Sequence, residues 1–177
     1  LYADALMNVS PWDYWESGGK KPRSAVAELV PTLERVLAKD PEHAGAIHLY
    51  IHAVEASDNP QRAEPYADRL AKLAPNAGHL VHMPSHIYFV LGRYKDALAA
   101  NRAAVKVDEA YIAARKPTGV YPLGYYPHNV HFVMVSAQMG GDGKTVLAAA
   151  DKLATVVPDD AARAVLLLQP VKAAPYF

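Results

Sequence analysis

The histidines of this chain recur at a fixed distance, and that distance restricts the possible fold more than any other feature. His48 and His52 return 34 residues later as His82 and His86, and His79 and His82 return 49 residues later as His128 and His131. Helix stops keep the same beat. Lys39-Asp40-Pro41 closes one helical segment and Leu73-Ala74-Pro75 the next, 34 residues on. Further stops fall at Val107-Asp108-Glu109 and at Val157-Pro158, the latter 49 residues beyond Glu109. The longer interval is one repeat with 15 extra residues, supplied by the Pro-, Gly- and Tyr-bearing segment 113–127, which lacks helical periodicity. A period of this length marks stacked helix–turn–helix units, whose equivalent positions line up along one surface. The sequence therefore predicts an all-α fold, a right-handed α-solenoid of about four helical hairpins, two of them with loop insertions.

The repeats fall at about 1–41, 42–75, 76–109 and 110–158, with a tail at 159–177, in one domain that spans 1–177. The first pairs helices at 1–8 and 24–38 around an insertion, 10–23, that carries Trp12 and Trp15. The second pairs 44–57 with 61–73 across Asp58-Asn59-Pro60, where proline suits the opening helical position. The third pairs 78–90 with 95–108 across Gly92-Arg93-Tyr94, and the fourth pairs 127–139 with a helix ending at Val156, across Gly140-Gly141-Asp142-Gly143. Pro84 lies inside the third repeat's first helix. It predicts either a kink or a helix that begins only near Met83.

The turn Gly92-x-Tyr94-x-x-Ala97, Ala104 seven residues on, and the proline-terminated second helices follow the tetratricopeptide-repeat pattern. The chain resembles tetratricopeptide-repeat (TPR) proteins over nearly its whole length. More narrowly it resembles a largely uncharacterised, His-rich bacterial TPR family, through Ser10-Pro11-Trp12-Asp13 and the stretches 48–55, 79–86 and 125–131. The resemblance implies a solenoid whose first helices line a concave groove where ligands bind. It implies no established activity.

Residues at i and i+3 or i+4 share a helix face. His48, His52 and Glu55 therefore form one stripe, His79, His82 and His86 a second, and His128 with His131 a third, each on the first helix of its repeat. Neighbouring helices pack about 8–10 Å apart, so imidazoles from adjacent stripes can meet around one ion. The expected metal ligands are His48, His52, Glu55, His82, His86 and His131, with Glu55 a ligand or an orienting partner. His79, His128 and Tyr126 are expected to complete a second site or to support the first. Seven imidazoles exceed what one ion takes, which leaves open two ions, or one ion with spare acid–base groups. A nitrogen-rich set with one clear carboxylate suits a transition metal ion (zinc, copper or iron) better than calcium or magnesium. Affinity is expected to fall as pH drops through about 6.5, where free imidazole protonates. Asp4 could face the same groove, whereas His43 lies outside the register and reads as a surface residue. Tyr50, Tyr66, Tyr94 and Tyr111 are expected to pack between repeats, and Tyr125, Trp12 and Trp15 to pack the insertions near the groove.

Composition bounds the alternatives. Lys+Arg and Asp+Glu both number 18, so no net charge recruits nucleic acid or an anionic membrane, and no apolar run reaches the ~18 residues of a membrane span. The absence of cysteine excludes disulfides, thiolate metal sites and cysteine nucleophiles, and leaves the compartment open. The chain starts in mid-helix and ends after the apolar run Val165-Leu166-Leu167-Leu168 and Phe177, which predicts a fragment of a longer protein or self-association through uncapped ends. Gly140 to Thr145 superficially suggests a phosphate loop, but no strand precedes it; Ser85 lacks a nucleophile elbow. Two functions remain. One is a metal-binding solenoid, possibly an enzyme; the other is a scaffold whose His-lined groove holds a peptide or protein partner. Neutral imidazole is a poor permanent cation for peptide carboxylates, which favours the metal.

Overall fold

The computed structural model describes residues 1–159, and every regular element among them is helical. In chain order these are α1 (Tyr2–Met7), α2 (Ser24–Lys39), α3 (Ala44–Val54), a 3₁₀ turn (Pro60–Ala63), α4 (Glu64–Leu73), α5 (Gly78–His82), α6 (Pro84–Val90), α7 (Tyr94–Arg115), α8 (Tyr126–Met139) and α9 (Gly143–Val156). An isolated antiparallel bridge, Trp15 to Pro22, is the only extended pairing among the described residues. None of their helices is long and apolar enough to cross a membrane. The 165–168 apolar run and Phe177 lie outside the described residues.

Helices adjacent in sequence pack against each other from α1 to α9, and the first-helix set α3, α5, α6 and α8 also meets within itself. The reason is periodicity. Val26, Leu29, Val30, Leu33 and Leu37 of α2 recur at helical spacing and are all buried against Ile47, Ile51 and Val54 of α3. Truncating a side chain as enclosed as Leu33 to alanine costs about 2–5 kcal/mol. A second core joins Tyr126, Val130 and Val133 of α8 to Ala149 and Leu153 of α9. The His43 side chain caps α3 by accepting from Ala46 N–H at 3.2 Å, and Asp142 caps α9 through Thr145 N–H at 3.1 Å.

Pro84 kinks its helix; the helix does not start late. The backbone is already helical from Gly78, and Met83 keeps right-handed angles (φ −50, ψ −37). Pro84 has no N–H to give, and His86 N–H closes a tight turn onto Met83 O at 3.2 Å. α5 and α6 are thus two arms of one bent helix, with His82 and His86 on either side of the bend.

The segment 113–127 is more helical than its composition predicts. Ala113, Ala114 and Arg115 are good helix formers and carry α7 on to Arg115. The helix stops at Lys116, which adopts left-handed angles (φ 48) immediately before Pro117. The wide turn Tyr121–Tyr125, whose end is closed by Tyr126 N–H on Tyr121 O, then leads straight into α8. The first insertion is pinned from beneath. Gly19 (φ +71) lies so close to the turn after α3 that a Cβ would meet Ser57 and Asp58 backbone atoms at 2.6–2.7 Å, and Trp15 Nε1–H donates to Ala53 O at 2.7 Å.

Candidate metal centre

Four helices bring their histidines to one place. α3 supplies His48 and His52, with Glu55 one residue past its end; α5 supplies His79 and His82, α6 His86, and α8 His128. Two separate trios form, His48–His52–His79 and His82–His86–His128, and in each the candidate ligand atoms lie within 4.8 Å of one another. A third grouping, His52–Glu55–His86, draws one histidine from each trio. Glu55 is the common partner. His52 Nδ1 donates to its Oε1 at 2.8 Å and His86 Nδ1 to its Oε2 at 2.6 Å.

These contacts fix which ring nitrogens carry protons. Burial by itself would raise the Glu55 pKa, but the hydrogen bonds from His52 and His86 outweigh it and bring it down to about 2. An ionised carboxylate only accepts, so both Nδ1 atoms donate and both Nε2 atoms face away from Glu55. His82 is locked in the same way by Asn101. The Asn101 amide Nδ2 donates to Ala97 O at 2.8 Å, which orients its oxygen toward His82 Nδ1 at 2.5 Å. Ser85 Oγ–H donates to the same oxygen at 3.2 Å. Yet His82 Nε2 lies 2.8 Å from His86 Nε2 and 3.0 Å from His128 Nε2. His82 thus turns its lone pair toward His86 Nε2, the ring nitrogen opposite the one committed to Glu55.

Burial first, then the neighbouring histidines, push the His82 pKa well below 6.5. The same causes bring His48 and His128 to about 4 and His79 to about 3. Near neutral pH these four rings are uncharged donors. In the other trio, His79 Nε2 meets His48 Nε2 at 3.2 Å, and His79 Nδ1 is buried without a hydrogen-bond partner. Within the donor set, His52, His82 and His86 are the rings whose orientation is held from behind.

His131 and Tyr126 sit elsewhere than the sequence reading put them. His131 belongs to none of these groupings; its ring stands 6.5 Å from Phe132, and burial lowers its pKa. His128 takes the place expected for His131. The Tyr126 hydroxyl turns away to Glu109 at 2.9 Å, beside Lys152. Its neighbour Tyr125 instead lies against His79, ring centres 4.7 Å apart. Asp4 is exposed, and its charge reaches His48 only as a weak raising influence. Trp12, with left-handed backbone angles (φ 65) and 71% exposed, stands edge-on to His52 at 5.1 Å.

Three supporting residues escaped the sequence reading. Asn101 lies on the wholly buried face Ala97–Asn101–Ala104 of an Ala-rich helix, where a polar residue is itself a signal of a buried partner. Phe132 follows His128 by one i+4 step and closes the far side, 4.7 Å from both His82 and His86. Asp108 accepts from Tyr121 OH and Asn129 Nδ2, each at 2.7 Å, and presses so closely on Gly78 that no side chain fits there. It thereby ties down the residues next to His79 and His128. No known protein family, curated protein or solved structure matches the chain.

Proposed function

We propose that the chain is a TPR-type α-solenoid whose histidine cluster holds a transition metal ion: zinc, copper or iron. The solenoid reading is supported by the 34-residue period together with the hairpin-by-hairpin packing of α1 to α9. One observation carries the metal reading: the contact of His82 Nε2 with His86 Nε2 at 2.8 Å, when both Nδ1 atoms are committed as donors to Asn101 and Glu55. A Lewis acid between the two converging nitrogens takes a bond from each. Metal-bound histidines characteristically give their other N–H to a carboxylate or carbonyl oxygen, as His52, His82 and His86 do here. All-imidazole ligation without thiolate fits borderline metals. Three protein ligands per ion leave a position for water or another small ligand, the arrangement that gives a metal Lewis-acid chemistry.

The test is equilibrium dialysis of tag-free, chelator-free protein against a mixed supply of zinc, copper and iron. The wild type retains metal, and a double variant H52A/H86A loses it while keeping its helical circular dichroism. A wild type that retains none of the three, or a double variant with undiminished content, overturns the reading and leaves a His-lined peptide groove in its place.

A further inference from the structure

We propose that the cluster is a two-ion centre. His48, His52 and His79 hold one ion, His82, His86 and His128 hold the other, and Glu55 couples them. This rests on the metal reading above and adds to it the number of ions, their ligands and the kind of molecule that joins them. The two trios share no residue, and each alone supplies the three ligands an open transition-metal site needs. They also touch. Ring centres across the boundary stand 5.0 Å apart for His52 and His86 and 5.7 Å for His79 and His82. Within the trios, His48 and His52 are 5.0 Å apart and His82 and His86 4.7 Å. The boundary between trios is therefore as tight as the trios themselves.

Glu55 straddles that boundary. Its two oxygens receive one Nδ1–H from each trio, so a single carboxylate orients a ligand of both ions. A change at one ion that alters the acidity of its histidine is felt through this carboxylate at the other. Charge determines what else binds. Two divalent ions among six neutral imidazoles meet one nearby carboxylate, and both of its oxygens are already engaged. The excess positive charge calls for a small oxygen-donor anion shared by the two ions, hydroxide from water being the simplest.

Copper(II) gives the test a readout other than turnover, with ions counted by dialysis and unpaired spins by electron paramagnetic resonance. The wild type binds two ions per chain and shows fewer than two spins, because neighbouring ions couple. H48A and H128A, each altering a half-buried residue of one trio, bind one ion per chain and show one full spin. In E55Q the amide cannot accept from both rings, so one of the two ions weakens 10- to 100-fold, the usual effect of removing such a partner. One ion per chain in the wild type, abolished by E55Q, overturns the two-ion centre in favour of a single ion on His52, Glu55 and His86, with the metal reading intact. Two ions with two full, uncoupled spins overturn the coupling. No ion at all overturns both readings.

Discussion

The two histidine trios use the same chemistry on differently built supports. His48 and His52 stand on the straight helix α3, and with His79 they face the more open side, flanked by the exposed rings of Trp12 and Tyr125. His82 and His86 stand on either side of the Pro84 bend and, with His128, are enclosed by Phe132 and by the Asn101–Ser85 network. In the open trio only His52 is anchored from behind, and His79 keeps an unpartnered buried nitrogen. In the enclosed trio both His82 and His86 are anchored, by an amide and by a carboxylate. The difference teaches a division of labour. The enclosed trio is the more preorganised, so under the two-ion proposal its ion binds first and exchanges more slowly than that of the open trio.

Acid gives the largest effect and acts on both trios. His48, His79 and His128 have folded pKa values of about 4, 3 and 4, and His82 lies well below 6.5, whereas an unfolded chain protonates near 6.5. Between those limits the unfolded state binds more protons, so folding stability rises with pH across that window. The metal-free protein is therefore fully stable above pH 6.5 and loses stability as pH falls toward 4. A melting temperature unchanged between pH 7 and 4.5 contradicts this. The expected fall in metal affinity through about pH 6.5 does not come from these four rings, for which protons compete only at lower pH.

Asn101→Ala separates the trios. It removes the oxygen shared by the His82 N–H and the Ser85 hydroxyl and leaves them only their own 3.3 Å contact in a buried place, which costs about 1–3 kcal/mol of stability. It also weakens the enclosed trio's ion by about 10- to 100-fold while sparing the other. Calorimetric titration that finds both ions equally weakened breaks the proposed asymmetry. Pro84→Ala has a smaller effect. Restoring an N–H lets α5 and α6 straighten, so the fold is kept or gains slightly, while the enclosed ion loses several-fold in affinity because the 2.8 Å approach of His82 to His86 relaxes to ordinary i,i+4 spacing. Unchanged affinity would make the bend incidental.

Much of this was legible in the sequence, and the parts that were not have physical causes. The 34-residue beat marked where most helices stop, because proline and glycine act locally. It misjudged 113–127, because alanines ahead of a proline still extend a helix. It expected His131 among the ligands and His128 in a second or supporting site, whereas the trios contain His128 and not His131, since repeat counting identifies equivalent positions and not nearest neighbours. The contacts His48–His79 and His82–His128 span 31 and 46 residues, one helical turn short of the 34- and 49-residue intervals. Adjacent helices are therefore staggered by a turn, which no single sequence reveals. Glu55 was visible through its i+3 spacing from His52, whereas Asn101 lay on a second helix that carries no histidine. His131→Ala is the smallest effect and checks the stagger. Metal content and affinity stay within about two-fold of the wild type, because the residue stands outside both trios. Loss of an ion would restore the unstaggered arrangement.

The central claim is that neutral rings, held from behind, point lone pairs at a common cation. Nitrogen-15 chemical shifts of the histidine rings in metal-free protein at pH 7 test it most directly. The prediction is that His52, His82 and His86 carry their proton on Nδ1, and that added zinc shifts the Nε2 signals while leaving the Nδ1 protons in place. Rings protonated at Nε2, imidazolium signals at pH 7, or Nε2 shifts indifferent to zinc would contradict the account.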